Sequence, residues 1–363
     1  MANRQVTPDG SDNIIAAAVM AQDFWGIKNL RLIEAKSGDH TKVVVNPNSN
    51  YMPLNIGAHW FLIDTATDVD AVDNLDTGVL AAGTDYYVYA CTNGTTVSFL
   101  VSASSTVPTG FDANHSRKIG GFHTLCLAVG TISGHTLSGY ATKDILPQSI
   151  WCLKHRANNL VNAGMVYDTG VQEWVDIYPV SGTGTSTASA FGASYTATRC
   201  WLDFVDDGFA VGKRLLEATG FQRIAAGSNE ETFVAGGADP VTVGGHVDTA
   251  GRRMVSNIGC EDCCGMIHQW LVEEGYRFTS EDPYFVNLPG GKGSRYTNCL
   301  TDPGSSEVDG DNCKGSSSKL IAGGAWSDGA EKETTCGSRR RSMNDPEWAY
   351  YAGLGARFCC DPL

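Results

Sequence analysis

The C-terminal stretch of the sequence contains four short motifs, which are Gly-Gly-Ala-Trp at 323–326, Cys-Gly-Ser-Arg at 336–339, Trp at 348 and Gly-Ala-Arg-Phe-Cys-Cys-Asp at 355–361. Chemically unrelated residues lie between these motifs, at 327–328, 340–345 and 349–353. Loops on a rigid scaffold are where binding residues can vary without unfolding a domain. The pattern therefore predicts a frame of Gly, Trp and Arg that presents a changeable surface.

This pattern resembles the variable region of proteins that are diversified by retroelements, a family that includes receptor-binding proteins of phage tails. Two upstream segments strengthen the resemblance, because they are similar to the signatures of formylglycine-generating-enzyme-like domains. The first is 212–216 running into 220–222, and the second is 256–262 followed by Gly265 and Gln269-Trp270. The resemblance implies a C-type-lectin-like α+β display domain over residues 161–363, with the variable region at about 323–361.

Diversification in this family alters adenines, mostly in asparagine codons, which can produce Ser, Asp, Tyr, Ala or Gly but not Glu, Lys, Met or Trp. The resemblance thus implies ligand-binding variable positions at Ser327, Asp328, Ser342, Asn344, Asp345, Ala349, Tyr351 and Gly353, and in a second set at Ala325, Thr335, Arg340 and Tyr350.

Four residues of the tail are assigned to the scaffold, and these are Trp326, Arg339, Trp348 and Arg357. We expect Trp326 to pack under the variable loop, beside the frame glycines. We expect Arg339 and Arg357 to brace the loop by donating to backbone carbonyls, since a guanidinium offers five N–H donors.

Length and composition suggest several β-rich domains. The chain has 363 residues, 42 of them Gly, and only 18% of its residues are charged. Two or three domains are the expectation for this length, and frequent β-branched and turn residues favour strands. The formal net charge of −14 argues against a general binder of nucleic acid or anionic membranes, because such binding depends on basic patches.

The N-terminal part is expected to contain two β modules. Residues 1–45 form a small β element for assembly and trimerisation, and residues 46–160 form a β-sandwich-like module. Within the latter, Asn93-Gly94 between 86–91 and 97–101 predicts a hairpin, since both turn residues must accept positive φ. Further strands are predicted at 125–129 and 136–141. The segment 116–123 resembles a recurring piece of phage tail proteins.

Two helices are predicted in the C-terminal half. Residues 210–218 carry a helical pattern that ends near Gly220, and residues 262–275 place Met266, Ile267, Trp270 and Leu271 on one face. The low-complexity stretch 182–190 is either a flexible linker or a loop inside the C-terminal domain.

Enzyme and metal chemistry receive little support. No histidine pair, nucleophile elbow or phosphate loop is recognisable, so no catalytic residue is assigned and no cofactor is expected. The cluster Cys260-x-x-Cys263-Cys264 could supply zinc ligands, but it lacks a second ligand pair, and buried thiols are the preferred interpretation. A structural calcium site remains a candidate at Asp309, Asp311 and Asn312, whose side-chain oxygens suit a hard cation.

The resemblance implies a non-enzymatic receptor-binding, tropism-determining protein of a phage or other virus. Its expected partners are a host-surface protein or glycan, virion tail proteins and two further copies of itself, with no nucleic acid and no membrane insertion. We expect synthesis in the host cytoplasm without a signal peptide, followed by display at a virion tail tip. The alternatives are a cell-encoded adhesin diversified by a retroelement and, remotely, a formylglycine-generating-type oxidase.

Overall fold

The structure is a computed structural model, and it describes residues 4–5, 31–49, 51–158, 163–276, 317–326, 341–346, 350 and 352–363. The chain divides into two compact units. The first unit comprises Met1–Ile177 and Cys360–Leu363, and the second comprises Tyr178–Cys359. Both are rich in β-strands and contain few helices. The predicted boundaries after residues 45 and 160 stay a prediction.

The first unit is made of short strands that belong to separate sheets. Its strands are β1 (Arg4–Gln5), β2 (Ile33–Ala35), β3 (Lys42–Val45), β4 (Met52–Ile56), β5 (His59–Ile63), β6 (Thr67–Asp70), β7 (Asp85–Thr92), β8 (Val97–Ser102), β9 (Ser116–His123), β10 (Trp151–Cys152), β11 (Met165–Asp168) and β12 (Glu173–Asp176). The sheet orders are β1-β5-β4, β2-β3-β6 and β10-β9-β7-β8, while β11 and β12 pair antiparallel. A 3-10 turn at Pro147–Ser149 precedes β10.

Alternating burial explains why these strands form. In β4, Met52, Leu54 and Ile56 are buried while the residues between them are partly exposed. This two-residue period is what a strand with one core-facing side requires. Residues from β2 to β10 join in one hydrophobic core, which includes Phe61 and Phe122.

The predicted hairpin is confirmed, and the two strands predicted after it are wrong. β7 and β8 pair antiparallel with Thr92 opposite Val97, so the connection is the four residues 93–96, and within the Asn93-Gly94 pair only Gly94 has positive φ. Residues 125–129 form a bend with irregular backbone, and residues 136–139 form a turn, so neither segment is a strand. Gly130, Gly134 and Gly139 all have positive φ, between 73° and 87°, and these left-handed positions bend the backbone away from a ladder.

Glycine is required where β9 meets β10. A Cβ on Gly120 would lie 2.3 Å from the backbone oxygen of Trp151. A Cβ on Gly121 would lie 2.5 Å from the backbone oxygen of Tyr86. The two adjacent glycines therefore allow strands to approach closely within the 116–123 segment.

The second unit combines short helices with a mixed sheet. Its helices are α1 (Trp201–Ala210) and α2 (Ala218–Ile224), and its strands are β13 (Arg214–Leu215), β14 (His268–Tyr276), β15 (Ser317–Ala322), β16 (Arg341–Pro346), β17 (Leu354–Ala356) and β18 (Phe358–Cys360), whose last residue is counted with the first unit. One sheet has the order β16-β15-β14-β17, in which β14 and β17 run parallel. β13 pairs with β18 antiparallel.

Both predicted helices of this half are wrong in position. The stretch 210–218 lies between α1 and α2 and contains β13. The stretch 262–275 contains β14, in which Trp270 and Leu271 are both fully buried. Adjacent buried residues mean that both faces of this strand are covered, and such an apolar run cannot be distinguished from a buried helix by periodicity.

The stretch 182–190 forms a loop within the second unit. It contains a 3-10 turn at Gly184–Ser186, and Ser181 and Ala188 exchange backbone hydrogen bonds across it. The backbone N–H of Gly184 also donates to Asp207 Oδ1 on α1 at 2.7 Å. In the part of the chain that is described, no helix is long and apolar enough to cross a membrane.

Candidate functional site

Arg357 anchors the C-terminal segment to the rest of the second unit. Arg357 follows β17 and is fully buried. Its Nε donates to Gln269 Oε1 on β14 at 3.1 Å, and its guanidinium also donates to the backbone oxygen of Glu261. Gln269 Nε2 in turn donates to the backbone oxygen of Asp262 at 3.2 Å. These bonds connect the end of the chain to the 261–262 turn and to the central strand.

The 261–262 turn is itself tied down by two buried carboxylates. Glu261 Oε1 accepts from Arg253 at 2.6 Å, and Asp262 Oδ1 lies 2.9 Å from His246 Nδ1. Their second oxygens accept from the backbone N–H groups of Gly245 and Gly244. Buried ionised groups need such partners, so this network fixes the backbone conformation of the 261–262 turn.

The same network shifts two pKa values. Burial raises the pKa of the Glu261 carboxyl, and Arg253 opposes that shift. Burial also lowers the pKa of His246, but the Asp262 carboxylate outweighs burial, so that this pKa lies above its ordinary value.

The Gly-Gly-Ala-Trp motif at 323–326 packs closely against the backbone of residues 263–266. Gly323 has φ of 96°, and a Cβ there would lie 2.7 Å from the backbone oxygen of Cys263. Its own carbonyl accepts from Gly265 N at 3.0 Å, and Trp326 N donates to Met266 O at 2.9 Å. Only glycine has the left-handed freedom and the small volume that this close approach requires.

Two of the predicted variable positions are buried. Ala325 is fully buried and Gly353 is buried, although both were assigned to the variable, ligand-facing set. The Gly353 carbonyl accepts from His268 N at 2.8 Å, which places this backbone inside the frame. Trp326 is partly buried, and its packing under the variable loop stays a prediction. Its Nε1 donates to Tyr195 Oη at 3.4 Å.

Other predicted variable positions lie on the edge strand of the sheet or are exposed. Ser342, Asn344 and Asp345 belong to β16, the edge strand, where Ser342 pairs with Ile321 and Asp345 pairs with Lys319 of β15. Tyr350 is 65% exposed. Ser327, Asp328, Thr335, Arg340, Ala349 and Tyr351 lie outside the described residues, as do the scaffold candidates Arg339 and Trp348 and the calcium candidates Asp309, Asp311 and Asn312.

A cluster that was not predicted from the sequence adjoins Trp326, and we call it the Tyr195 cluster. It consists of Tyr195, Asp239, Trp326 and the backbone carbonyl of Ala352. Besides Trp326, Tyr195 Oη contacts Asp239 Oδ1 at 2.8 Å and the Ala352 oxygen at 3.1 Å. No local motif marks these residues, which are far apart in the chain and meet only in the folded unit.

The Tyr195 phenol stays neutral at physiological pH. Burial and the hydrogen bond to Asp239 raise its pKa to about 12. A neutral phenol keeps its hydrogen and can donate it to a carboxylate.

The described cysteines are thiols, as the preferred interpretation expected. Of these nine cysteines, eight are buried and Cys200 is partly buried, which fits a role in packing. Cys263 Sγ lies 3.8 Å from the backbone oxygen of Cys260. Across the described ranges, no group of three or more His, Cys, Asp or Glu side chains could hold a metal ion.

Comparison with known proteins finds a family model and solved structures that are similar to this chain. Residues 38–152 match the family model of the Mtd second domain. The chain resembles the major tropism determinant. Its M1 variant aligns with a TM-score of 0.68 and 20% identity over 92% of this chain and 83% of that one. Its I1 variant aligns with a TM-score of 0.69 and 22% identity, over 93% and 85%.

A curated relative supports the same resemblance at the level of sequence. The "Tail fiber receptor-binding protein" of Bordetella phage BPP-1 is 29% identical over 329 residues, which are 84% of this chain and 75% of the relative. These findings confirm the resemblance to retroelement-diversified phage proteins that the C-terminal motifs predicted. The relatives are named for tropism and receptor binding rather than for catalysis, which agrees with the expectation of a non-enzymatic protein.

Proposed function

We propose that this chain is a receptor-binding protein of a phage tail, whose second unit displays a variable ligand-binding surface. The observation that carries the proposal is the sequence similarity along most of the chain to a protein named for tail-fibre receptor binding. The fold shared with the tropism determinant variants supports it.

The residues of the second unit suit a display role. Arg357, Gln269, Glu261 and Asp262 form a buried frame that does not depend on the identity of the exposed residues. Exposed positions away from special features contribute little to stability, so they can vary while the frame keeps its shape. We assign the C-type-lectin-like display domain to residues 161–363, with its variable region at about 323–361.

We assign residues 1–160 to assembly of the protein on the virion. We propose that residues 1–45 support a homotrimer and that the 46–160 module is β-sandwich-like and links the display domain to virion tail proteins. A trimer places three variable surfaces side by side, and linked sites can raise apparent binding by about 10²–10⁴ without new contacts. Native mass measurement at micromolar protein tests this, and a folded monomer would contradict it.

Binding of labelled protein to whole bacteria tests the proposed function. The full chain is labelled with a fluorophore and measured by flow cytometry on a panel of strains. Tyr350→Ala combined with Asn344→Ala should lower the signal at least tenfold on any strain that binds. Tyr51→Ala is the matched control, because Tyr51 is 54% exposed and lies in the first unit.

Two outcomes decide the proposal. Loss of binding in the tail variant, with the control unchanged and both proteins folded, supports it. Equal loss in both variants, or no loss in the tail variant, would mean that ligand binding does not use the variable tail.

A further inference from the structure

The Tyr195 cluster joins three parts of the second unit that are distant in the chain. Tyr195 Oη contacts Asp239 from the 236–243 loop, Trp326 from the Gly-Gly-Ala-Trp motif and the carbonyl of Ala352, which lies two residues after the exposed Tyr350. One hydroxyl group thus reaches both ends of the tail segment that carries the variable positions.

Asp239 is held in one orientation by bonds to a single oxygen. Its Oδ1 accepts from Tyr195 Oη at 2.8 Å and from Val241 N at 2.9 Å. Within the described part of the chain, its Oδ2 has no hydrogen bond and no cation lies within ion-pair distance of the carboxylate. Asp239 is exposed, so that this second oxygen can meet a partner from solution.

The turn that carries Asp239 is strained. Val241 has φ of 61° and is 56% exposed, although a β-branched residue rarely adopts this conformation. Thr242 N donates to Pro240 O at 2.6 Å, which closes a tight turn of the uncommon positive-φ kind around Val241. Strained backbone with an exposed apolar side chain persists where a surface has a task other than stability.

We infer that Asp239 is a fixed anionic contact in the ligand-binding surface, which receives a cationic Arg or Lys side chain of a protein receptor and which Tyr195 positions. This deepens the proposed function and rests on it. A cation gains an ion pair with Oδ2 and an aromatic neighbour in the partly exposed indole of Trp326. The net charge of −14 also favours approach of a basic surface over an acidic one.

The Tyr195 phenol connects the Asp239 carboxylate to the backbone of the tail at Ala352. It has one hydrogen but two acceptors in reach, Asp239 Oδ1 at 2.8 Å and the Ala352 oxygen at 3.1 Å. A carboxylate is the stronger acceptor, so the hydrogen points to Asp239 in the free protein. The phenol hydrogen therefore holds the Asp239 carboxylate in place, while the Ala352 oxygen lies beside the same hydroxyl group. Tyr195 is therefore a positioning residue.

A short peptide pair tests the contact without knowledge of the receptor. The probes are acetyl-Gly-Arg-Gly-amide and its citrulline counterpart, which has nearly the same shape but no charge. The full chain is labelled with 6-fluorotryptophan, and the fluorine resonance of Trp326, assigned with Trp326→Phe, is followed during titration. The arginine peptide should bind about fivefold more tightly than the citrulline peptide, as expected for one exposed ion pair.

Three variants localise the effect. Asp239→Asn should remove the preference for arginine. Asp206→Asn is the matched control, since Asp206 is also exposed and lies in the same unit, and it should keep the preference. Tyr195→Phe keeps the carboxylate, so it should retain the salt dependence of arginine binding while weakening binding two- to fivefold, roughly the effect of one lost hydrogen bond.

The outcomes separate this inference from the proposed function. Equal affinity for the two peptides, or a preference that survives Asp239→Asn, would overturn the inference, and so would a Tyr195→Phe variant that binds like the wild type. If the tail variants still abolish binding to bacteria in that case, the proposed function stands alone. If the arginine preference depends on Asp239 but binding to bacteria ignores the tail, the contact exists and the proposed function fails.

Discussion

Replacement of Arg357 by Ala should destabilise the second unit severely. The side chain is fully buried and donates to Gln269 Oε1 and to the backbone oxygen of Glu261. Each buried acceptor left without its donor costs about 1–3 kcal/mol. Two acceptors give roughly 2–6 kcal/mol, and about 4 kcal/mol is the expected loss in the free energy of unfolding.

Hydrogen exchange can report this loss for the second unit alone. Peptides that cover β14 and β17 are followed by mass spectrometry, because a chain with two units need not unfold in one step. For amides that exchange through unfolding of this unit, 4 kcal/mol lowers protection by about three orders of magnitude. Arg357→Lys should lose nearly as much, since an ammonium cannot reproduce the planar arrangement of donors.

An exposed arginine supplies the control. Arg117 donates to the backbone oxygen of Asn55 at 2.9 Å from an exposed position. Arg117→Ala should therefore change stability by no more than about 0.5 kcal/mol. If Arg357→Ala leaves the protection of β14 within tenfold of the wild type, Arg357 does not brace the tail, and the frame described here is wrong.

Three further changes test other parts of the structure. Gly120→Ala should cost the first unit about 1–3 kcal/mol in a urea titration, because its Cβ would meet a backbone oxygen at 2.3 Å; a cost near zero would contradict the close strand approach. His246 has a raised pKa beside Asp262, so its contribution is complete below pH of about 6.5 and is lost as pH rises through that raised pKa. The stability difference between wild type and His246→Gln should thus be larger at pH 5.5 than at pH 8.5, and the reverse order would refute the pairing. Trp326→Phe should cost only about 0.5–1.5 kcal/mol, mainly the bond to Tyr195, and a cost above about 3 kcal/mol would show that the indole is a core residue after all.

Local chemistry was enough to predict several features of this protein from its sequence. Asn93-Gly94 indicated the β7–β8 hairpin, in which Gly94 supplies the positive φ that the connection needs. The C-terminal motifs indicated the resemblance to retroelement-diversified phage proteins, and comparison with known proteins confirmed it. Composition alone indicated a β-rich chain. These predictions depend on residues that are neighbours in the chain or that form a recognisable pattern.

Tertiary contacts determined the features of the fold and of the site that the sequence pattern did not predict. The run around Trp270 and Leu271 suggested a helix, but it is a strand that pairs with β15 and β17, and burial of both faces removes the alternation that would have marked it. Gly353 was expected at the surface, but its carbonyl bonds to His268 and the residue is buried. The Tyr195 cluster has no local signature. Its members meet only because the chain returns to one place from distant segments, and such long-range contacts leave no periodicity in the sequence.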